Sequence, residues 1–221
     1  MVNTAAIIIG GSLGNLLGKK LEESLKEIVM QALSLAVLLI GIKNAIQANH
    51  VTLIIFSLIL GGIIGELLQI EYRLEQVGVW LESWFQEENS LVLGFVRCSL
   101  IYCIGAMAIM GAIQDGLQND PSTLYAKSLL DGFSAIAFAS TLGIGVIFSA
   151  ISVFIYQGSI TLLASWLQEL VTSEIITAIT ATGGLLIIAI GLNLLEVTET
   201  KIKVGNLLPA LFIIVILVIL F

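Results

Sequence analysis

The sequence has little charge, almost no proline and a single histidine. Asp, Glu, Lys and Arg make up 11% of its 221 residues, whereas a soluble domain carries about 25%. Two prolines exclude proline-rich disorder, and one histidine excludes the catalytic and metal motifs that need several. The formal net charge of −7 argues against a nucleic-acid partner, which would need a basic face.

Cysteine is also scarce, and its spacing excludes a disulfide. Cys98 and Cys103 are five positions apart in one apolar stretch. On a helix their side chains point about 140° apart, so they cannot bridge, and we expect buried small hydrophobes. Since no nucleophile–base pair is visible either, the sequence predicts no metal site, no cofactor and no enzymatic activity.

Hydrophobic residues, by contrast, are abundant at 58%, and the mean hydropathy is +1.07. A chain of this length accommodates about eight membrane-spanning helices of roughly 20 residues. The sequence therefore predicts an all-α polytopic membrane protein, with residues 1–221 forming a single transmembrane domain. The apolar runs place its helices at 2–18, 28–46, 51–70, 92–115, 123–142, 145–167, 175–195 and 204–221.

The least obvious division is the one at residues 142–146. The apolar run 123–167 contains about 45 residues and would be about 68 Å long as one helix, twice the bilayer core of about 30 Å. A turn at Gly143 and Gly145 is expected to divide it into two spans.

The basic residues indicate the orientation. With eight spans, only Lys43 and Lys127 lie towards one side, whereas seven spans would nearly abolish the bias. Because basic residues favour the cytoplasmic side, we expect both termini outside the cytoplasm. The chain has no basic residue before its first apolar run and has Lys19 and Lys20 after it, the reverse of a cleavable signal peptide, so we expect an uncleaved first helix. The residues on the predicted cytoplasmic side are Lys19, Lys20, Lys26, Arg73, Arg97, Lys201 and Lys203.

Segment 71–90 has the pattern of an amphipathic helix. Apolar residues recur at spacings of three and four, among them Leu81 and Trp84, and glutamates occupy other faces. The segment is expected to lie on the cytoplasmic or interfacial surface, or to act as a docking or dimerisation element.

The two ends of the chain resemble each other. A shift of 147 positions matches Gly11-Ser12 with Gly158-Ser159, and a further slip of two pairs Asn44 with Asn193. The first copy (1–70, helices 1–3) and the second (145–221, helices 6–8) would face opposite ways, with two intervening helices at 92–142. Such inverted-topology repeats are common in secondary transporters and also occur in channels.

Small residues form ridges on two predicted helices. One ridge consists of Gly10, Gly14 and Gly18, and the other of Gly61 and Gly65. In lipid, such ridges allow close helix packing and self-association, which makes a homodimer possible. The alternative is glycine-broken backbone that lines a cavity.

A carboxylate lies in the fifth predicted span. Asp131 would cost about 2.5–3.5 kcal/mol at a helix centre, so it should face protein or water. Lys127 is four residues earlier on the same face, and Ser134, three residues later on that face, is a candidate oxygen ligand. Asp131 is therefore either half of a structural ion pair or a carboxylate that binds a cation or a proton.

Other polar residues complete the set of candidates. Gln157, Asn44 and Asn193 would provide neutral oxygen ligands, or only interhelical hydrogen bonds. Asp115 and Glu66 are candidates for the mouths of a pathway, or simply residues at helix ends.

Several motifs together resemble the domain-of-unknown-function 554 family, which consists of bacterial integral membrane proteins often labelled as candidate transport proteins. The resemblance covers essentially the whole chain and implies the bacterial cytoplasmic membrane, but it brings no mechanism. The motifs are Met30–Gly41, Gly61–Glu66, Gly105–Ile109, Ile113–Gly116, Lys127–Ala135, Gly143–Val146, Tyr156–Gly158 and Lys203–Ala210.

Two functions remain open from the sequence. The first is a small-ion or small-solute transporter or channel in the lipid bilayer, for a proton or a monovalent cation bound at Asp131. The second is a non-transporting scaffold or regulatory subunit that docks partners through segment 71–90.

Overall fold

A computed structural model describes residues 1–20, 22–73, 76, 90–104, 106–166, 172–197 and 200–220. All regular structure in these residues is helical, which confirms the all-α class. The helices are α1 (Val2–Gly18), α2 (Glu23–Ala45), α3 (Val51–Leu67), α4 (Ser90–Cys103), α5 (Ala106–Gln118), α6 (Ser122–Leu142), α7 (Gly145–Leu162), α8 (Ser173–Leu194), α9 (Val204–Leu207) and α10 (Ala210–Leu220).

Helices lie at all eight predicted positions, but two of the predicted spans are divided. The predicted helix 92–115 consists of α4 and α5, which are bent by 61° relative to each other. The last predicted helix is interrupted between α9 and α10, at Leu208 and Pro209. Proline lacks an amide hydrogen and restricts the residue before it, which accounts for this second break.

The predicted division of the long apolar run is observed. α6 ends at Leu142, Gly143 has a φ of 68°, and α7 begins at Gly145. A positive φ is accessible to glycine at little cost, so this residue reverses the chain where a bulkier residue would be strained.

The helices are suited to a membrane. In the described part of the chain, three helices are long and apolar enough to cross a bilayer: Glu27–Ala45, Gly145–Leu162 and Ser173–Leu194. The bent α4–α5 pair raises this number to four, and α1, α3 and Val204–Leu220 are shorter apolar helices. The chain is a helical membrane protein.

Two compact units divide the chain. The first comprises the described residues of 1–33 and 77–170, with α1, α4, α5, α6 and α7. The second comprises those of 34–76 and 171–221, with most of α2 together with α3, α8, α9 and α10. Most of segment 71–90 lies outside the described residues, namely 74–75 and 77–89.

In the first unit, α1 packs on α6 along its glycine ridge. A Cβ atom added at Gly10, Gly14 or Gly18 would collide with the carbonyl oxygens of residues 132, 136 and 140, in that order. The contacting positions rise together on both helices, so α1 and α6 run parallel. The absence of side chains lets the backbones approach closely, which is how small residues promote helix association in lipid.

The bent α4–α5 pair lies along α7, also in a parallel direction. Leu91 lies against Gly145, the Ser99 hydroxyl donates to the Ser152 hydroxyl at 2.9 Å, and Gly116 lies against Thr161. These contacts extend from the start of α4 to the end of α5. α4 and α5 therefore pack along the length of α7 as one bent element.

In the second unit, two helix pairs run antiparallel. Gly41 of α2 lies against Ile188 of α8, and Gly184 lies against Ala45. The Gly61–Gly65 ridge of α3 contacts the α9–α10 segment, since Gly61 faces Ala210 and Gly65 faces the backbone of residue 206. Both glycine ridges thus pack directly against backbone.

Substitution at Gly14 tests the α1–α6 contact. Gly14→Ala should lower the free energy of unfolding by about 1–3 kcal/mol, because its Cβ would collide with the Ile136 carbonyl. For a chain of this length, each kcal/mol lowers Tm by about 2–4 °C, which a thermal melt in detergent measures.

Gly158→Ala is the matched control. A Cβ atom placed at Gly158 meets no neighbouring atom of the described residues within 4 Å, and alanine favours the helix. Its Tm should stay the same or rise. Equal losses in the two variants would contradict the assigned packing.

Candidate functional site

A cluster of four polar side chains lies inside the first unit, where α1, α6 and α7 meet. It consists of Asn3, Lys127, Asp131 and Gln157, and we call it the polar centre. Their exposed fractions are 2%, 7%, 6% and 6%. Polar groups this deeply buried are costly unless they are paired, so their partners indicate what the cluster does.

The ion pair of the polar centre follows from helix geometry. Lys127 and Asp131 are four residues apart on α6, and such positions lie one turn apart on the same face. The Lys127 Nζ donates to Asp131 Oδ1 at 3.0 Å and to Oδ2 at 2.7 Å. Both side chains are only 9% exposed, so the ammonium neutralises a carboxylate that lacks access to bulk water.

Asn3 connects this pair to the third helix. Its Nδ2 donates to Asp131 Oδ2 at 2.8 Å and contacts Gln157 Oε1 at 3.3 Å. Asn3 is in the first turn of α1 and Gln157 is in the second half of α7. A single amide thus links helices that are far apart in sequence.

The same amides leave two buried atoms without partners. An ionised Asp131 can only accept, so the NH₂ of Asn3 must face it, and Gln157 must then present its oxygen to Asn3. Asn3 Oδ1 and Gln157 Nε2 consequently have no hydrogen-bond partner among the described residues. Unpartnered buried polar atoms are rare, and a small polar ligand or an ion at this position would pair with them.

Sequence analysis did not identify Asn3 as a candidate, although it lies within the first predicted helix, 2–18. A usable signal was the glycine ridge. Gly10, Gly14 and Gly18 share a buried face with Ile7 and Asn3. Extending that face back by seven residues from Gly10 reaches Asn3.

Ser134 lies close to Asp131 but does not contact its carboxylate. Its hydroxyl donates to the Asp131 main-chain oxygen at 3.0 Å and lies 3.5 Å from the hydroxyl of Tyr102. Tyr102 is 1% exposed and packs edge-on to Phe138, with ring centroids 6.4 Å apart. Ser134 therefore belongs to the surroundings of the polar centre.

The two predicted asparagines lie in the second unit. Asn193 forms both of its hydrogen bonds with the backbone of Ile202, donating at 2.8 Å and accepting at 2.9 Å. Asn44 is half-buried beside Gly184. Asn193 therefore fixes a loop of the second unit.

Glu66 holds two segments of the second unit together. Lys203 donates to its two oxygens at 2.9 and 3.1 Å, and Asn206 donates to Oε2 at 2.6 Å. The Asn206 oxygen in turn accepts from the Glu71 amide at 2.7 Å. This set joins the end of α3 to the start of α9.

A second polar cluster in the first unit lies at the junction of α5 and α6. Gln114 donates to Asp120 at 2.7 Å and accepts from the Thr123 hydroxyl at 2.9 Å, while the Ser122 amide donates to Asp120 at 3.1 Å. We call Gln114, Asp120 and Thr123 the junction cluster. The Ser122 backbone amide, followed by its side chain and Gln114, lowers the pKa of Asp120 and keeps it ionised. The predicted mouth residue Asp115 is half-buried nearby on α5.

A surface pocket of about 180 Å³ lies at the opposite end of the α1–α6 pair. Ser140, one of its lining residues, follows Asp131 by nine positions, or about 13 Å along α6. The pocket is thus separate from the polar centre. It is lined by Asn15, Gly18, Lys19, Ala139, Ser140, Thr141 and Gly143.

Comparison with known proteins gives one family and two relatives. The family model described as "Protein of unknown function (DUF554)" matches residues 1–219. The chain is 34% identical over 215 residues to "Uncharacterized membrane protein YdfK" of Bacillus subtilis (strain 168), which covers 96% of this chain and 91% of the relative. It is 31% identical over 216 residues to "Uncharacterized protein YqgA" of Escherichia coli (strain K12), covering 95% and 91%. No solved structure gives a significant match.

The buried pair predicts strongly non-additive stability effects. Lys127→Met leaves Asp131 as an uncompensated buried charge, which should cost about 3–5 kcal/mol of unfolding free energy. Adding Asp131→Asn removes that charge and retains an acceptor for Asn3, so the double variant should regain most of the loss. Denaturant unfolding of the two single variants and the double variant measures this. Additive losses would show that the two groups are not coupled.

Proposed function

We propose that this chain, which belongs to the DUF554 family of proteins of unknown function, is a membrane transporter or channel for a proton or a monovalent cation. The observation that carries the proposal is the polar centre, where a buried carboxylate on α6 meets amides from α1 and α7. An ionisable group inside an apolar bundle is expensive, and such groups typically mark ion or proton pathways.

The chemistry of the polar centre favours a small monovalent species. Asp131 is its only carboxylate, and the free carbonyl oxygen of Asn3 is a second hard ligand. Oxygen ligands suit protons and alkali cations, whereas transition metals prefer imidazole and thiolate.

Helix pairing supports the inverted repeat. The helices of the first copy pack antiparallel against those at the corresponding places of the second: α1 with α7, α2 with α8, and α3 with α10. Gly41 touches Ile188, which is 147 positions later, and Gly61 touches Ala210, which is 149 positions later. Contact between a residue and its own counterpart is what a two-fold axis in the membrane plane would produce.

The polar centre fits that symmetry. Asn3 and Gln157 lie on α1 and α7, the first helices of the two copies. In transporters built from inverted repeats, the binding site lies near the midplane between the copies. The polar centre thus lies where helices of the two copies meet, which supports transport.

Helix direction supports eight spans. Spans separated by an even number of steps must run parallel, and those separated by an odd number antiparallel. If α4–α5 and α9–α10 each count as one span, then α1 with α6 and α4–α5 with α7 should be parallel, and α2 with α8 and α3 with α10 antiparallel. The contacts of both units agree with this rule. We propose eight spans in a bacterial cytoplasmic membrane, with both termini outside the cytoplasm.

Docking through segment 71–90 and a homodimer stay predictions. The first would make the chain a scaffold or regulatory subunit. It depends on residues such as Leu81 and Trp84, which lie outside the described part of the chain.

Single cysteines test the topology. In a variant with Cys98 and Cys103 replaced by alanine, Gln118→Cys should react with a membrane-impermeant maleimide in intact spheroplasts, because its loop is extracytoplasmic. Lys201→Cys should react only after lysis, since its loop is cytoplasmic. Both positions are exposed. In the proposed topology three spans, an odd number, separate the two positions, so labelling of both from the same side would contradict it.

Flux measurements test the activity. Proteoliposomes with wild-type protein should conduct or exchange a proton, Na⁺ or K⁺, and Asp131→Asn should reduce the rate at least tenfold, because it removes the buried charge. Fluorescent reporters of pH, Na⁺ and K⁺ inside the vesicles give the initial rate.

Glu174→Gln is the control for loss of a carboxylate. Glu174 is exposed in the first turn of α8 and pairs with His50, and glutamine retains an acceptor oxygen. Its flux should equal that of wild type. Wild-type vesicles that pass none of the three ions would refute the proposed function, and unchanged flux in Asp131→Asn would remove Asp131 from the mechanism.

A further inference from the structure

Three polar positions form a ladder on one face of α6. Thr123, Lys127 and Asp131 are spaced by four residues, so each lies about one turn from the next. Thr123 belongs to the junction cluster and Asp131 to the polar centre. Lys127 therefore lies between the acceptors of the junction cluster and the carboxylate of Asp131. In this structure its ammonium donates to Asp131.

We propose that the Lys127 ammonium is a tethered substitute for the transported cation, and that it moves from Asp131 to the junction cluster when Na⁺ or K⁺ binds. The inference rests on the proposed function and narrows its substrate to a monovalent metal cation. In the arrangement described above, the protein supplies its own positive charge to Asp131.

Electrostatics makes the two cations mutually exclusive. The polar centre holds one carboxylate and one ammonium, so its formal charge is zero. A metal cation bound at Asp131 beside the ammonium would leave a net positive charge inside the apolar bundle, and the two cations would compete for the same carboxylate oxygens. Departure of the ammonium removes both costs.

A destination for the ammonium exists. Lys127 is five residues after Ser122, about 7.5 Å from the start of α6, and its long stem can extend towards that end. Asp120 is ionised there and half-buried, and its oxygens have lone pairs beyond those used by Gln114 and Ser122. In the proposed topology this end faces outside the cytoplasm, so the ammonium moves outwards.

A second observation indicates a ligand at the vacated position. The Oδ1 atom of Asn3 has no partner, although the side chain is 2% exposed and its NH₂ contacts the Asp131 carboxylate. Rotation of this amide would present its oxygen beside Asp131. A carboxylate and an amide carbonyl together form an oxygen site for an alkali cation.

Chemical labelling of Lys127 tests the exchange. Wild-type protein in proteoliposomes is treated with a small membrane-permeant imidate, and peptide mass spectrometry gives the extent of amidination. Replacing N-methyl-D-glucamine with the transported Na⁺ or K⁺ should raise labelling of Lys127 about tenfold, which corresponds to about 1.4 kcal/mol. The exposed Lys43 in the same molecule is the internal reference.

Two variants distinguish replacement of the ammonium by a cation from a general increase in the accessibility of Lys127. Asp131→Asn should give high Lys127 labelling that no longer depends on the cation. Asp120→Asn, which retains an acceptor for the Ser122 amide, should raise the cation concentration for half-maximal labelling at least threefold. Thermal melts verify that both variants fold. The labelling of wild-type protein tests the inference even if neither variant folds.

The outcomes separate the two proposals. Wild-type protein that transports Na⁺ or K⁺ but shows cation-independent labelling of Lys127 overturns the inference and leaves the proposed function standing. Flux of protons without flux of Na⁺ or K⁺ would likewise overturn the inference and leave the proposed function standing. Absence of flux for every ion overturns the proposed function itself.

Discussion

The structure depends on the neutralisation of one carboxylate inside an apolar bundle. Asp131 cannot remain charged in a low-dielectric interior without a cation beside it, and α6 provides Lys127 one turn away. Once the pair is neutral, the bundle can close around it. Asn3 then uses the remaining acceptor capacity and connects two further helices to the pair.

Close backbone packing makes that connection possible. A short asparagine on α1 reaches a residue of α6 only if the two helices approach closely, and Gly10, Gly14 and Gly18 remove the side chains that would keep them apart. The ridge that holds the first unit together and the amide that completes the polar centre lie on the same face of α1. One face of α1 therefore determines both its packing on α6 and the position of the Asn3 amide.

The positions of the helices could be predicted from the sequence, whereas the partners of the buried amides could not. Apolar runs and the glycine turn at 143–145 located the helices, because length and hydropathy are local properties. The Asp131–Lys127 spacing was equally local. Asn193 was assigned to the same ligand set as Asp131, but it fixes Ile202 in the second unit. An amide's partners depend on tertiary neighbours, which one-dimensional spacing does not specify.

Composition and periodicity by themselves determined that the chain is a helical membrane protein with a charged pair on one helix face. These features follow from hydrophobic burial and from the geometry of a single helix. Only the tertiary structure decided which helices meet, that Asn3 joins the pair, and that Asn3 and Gln157 each retain an unpartnered atom. The physical reason is that hydrogen bonds between helices require two backbones to approach at one register, and that register is set by packing over the whole contact.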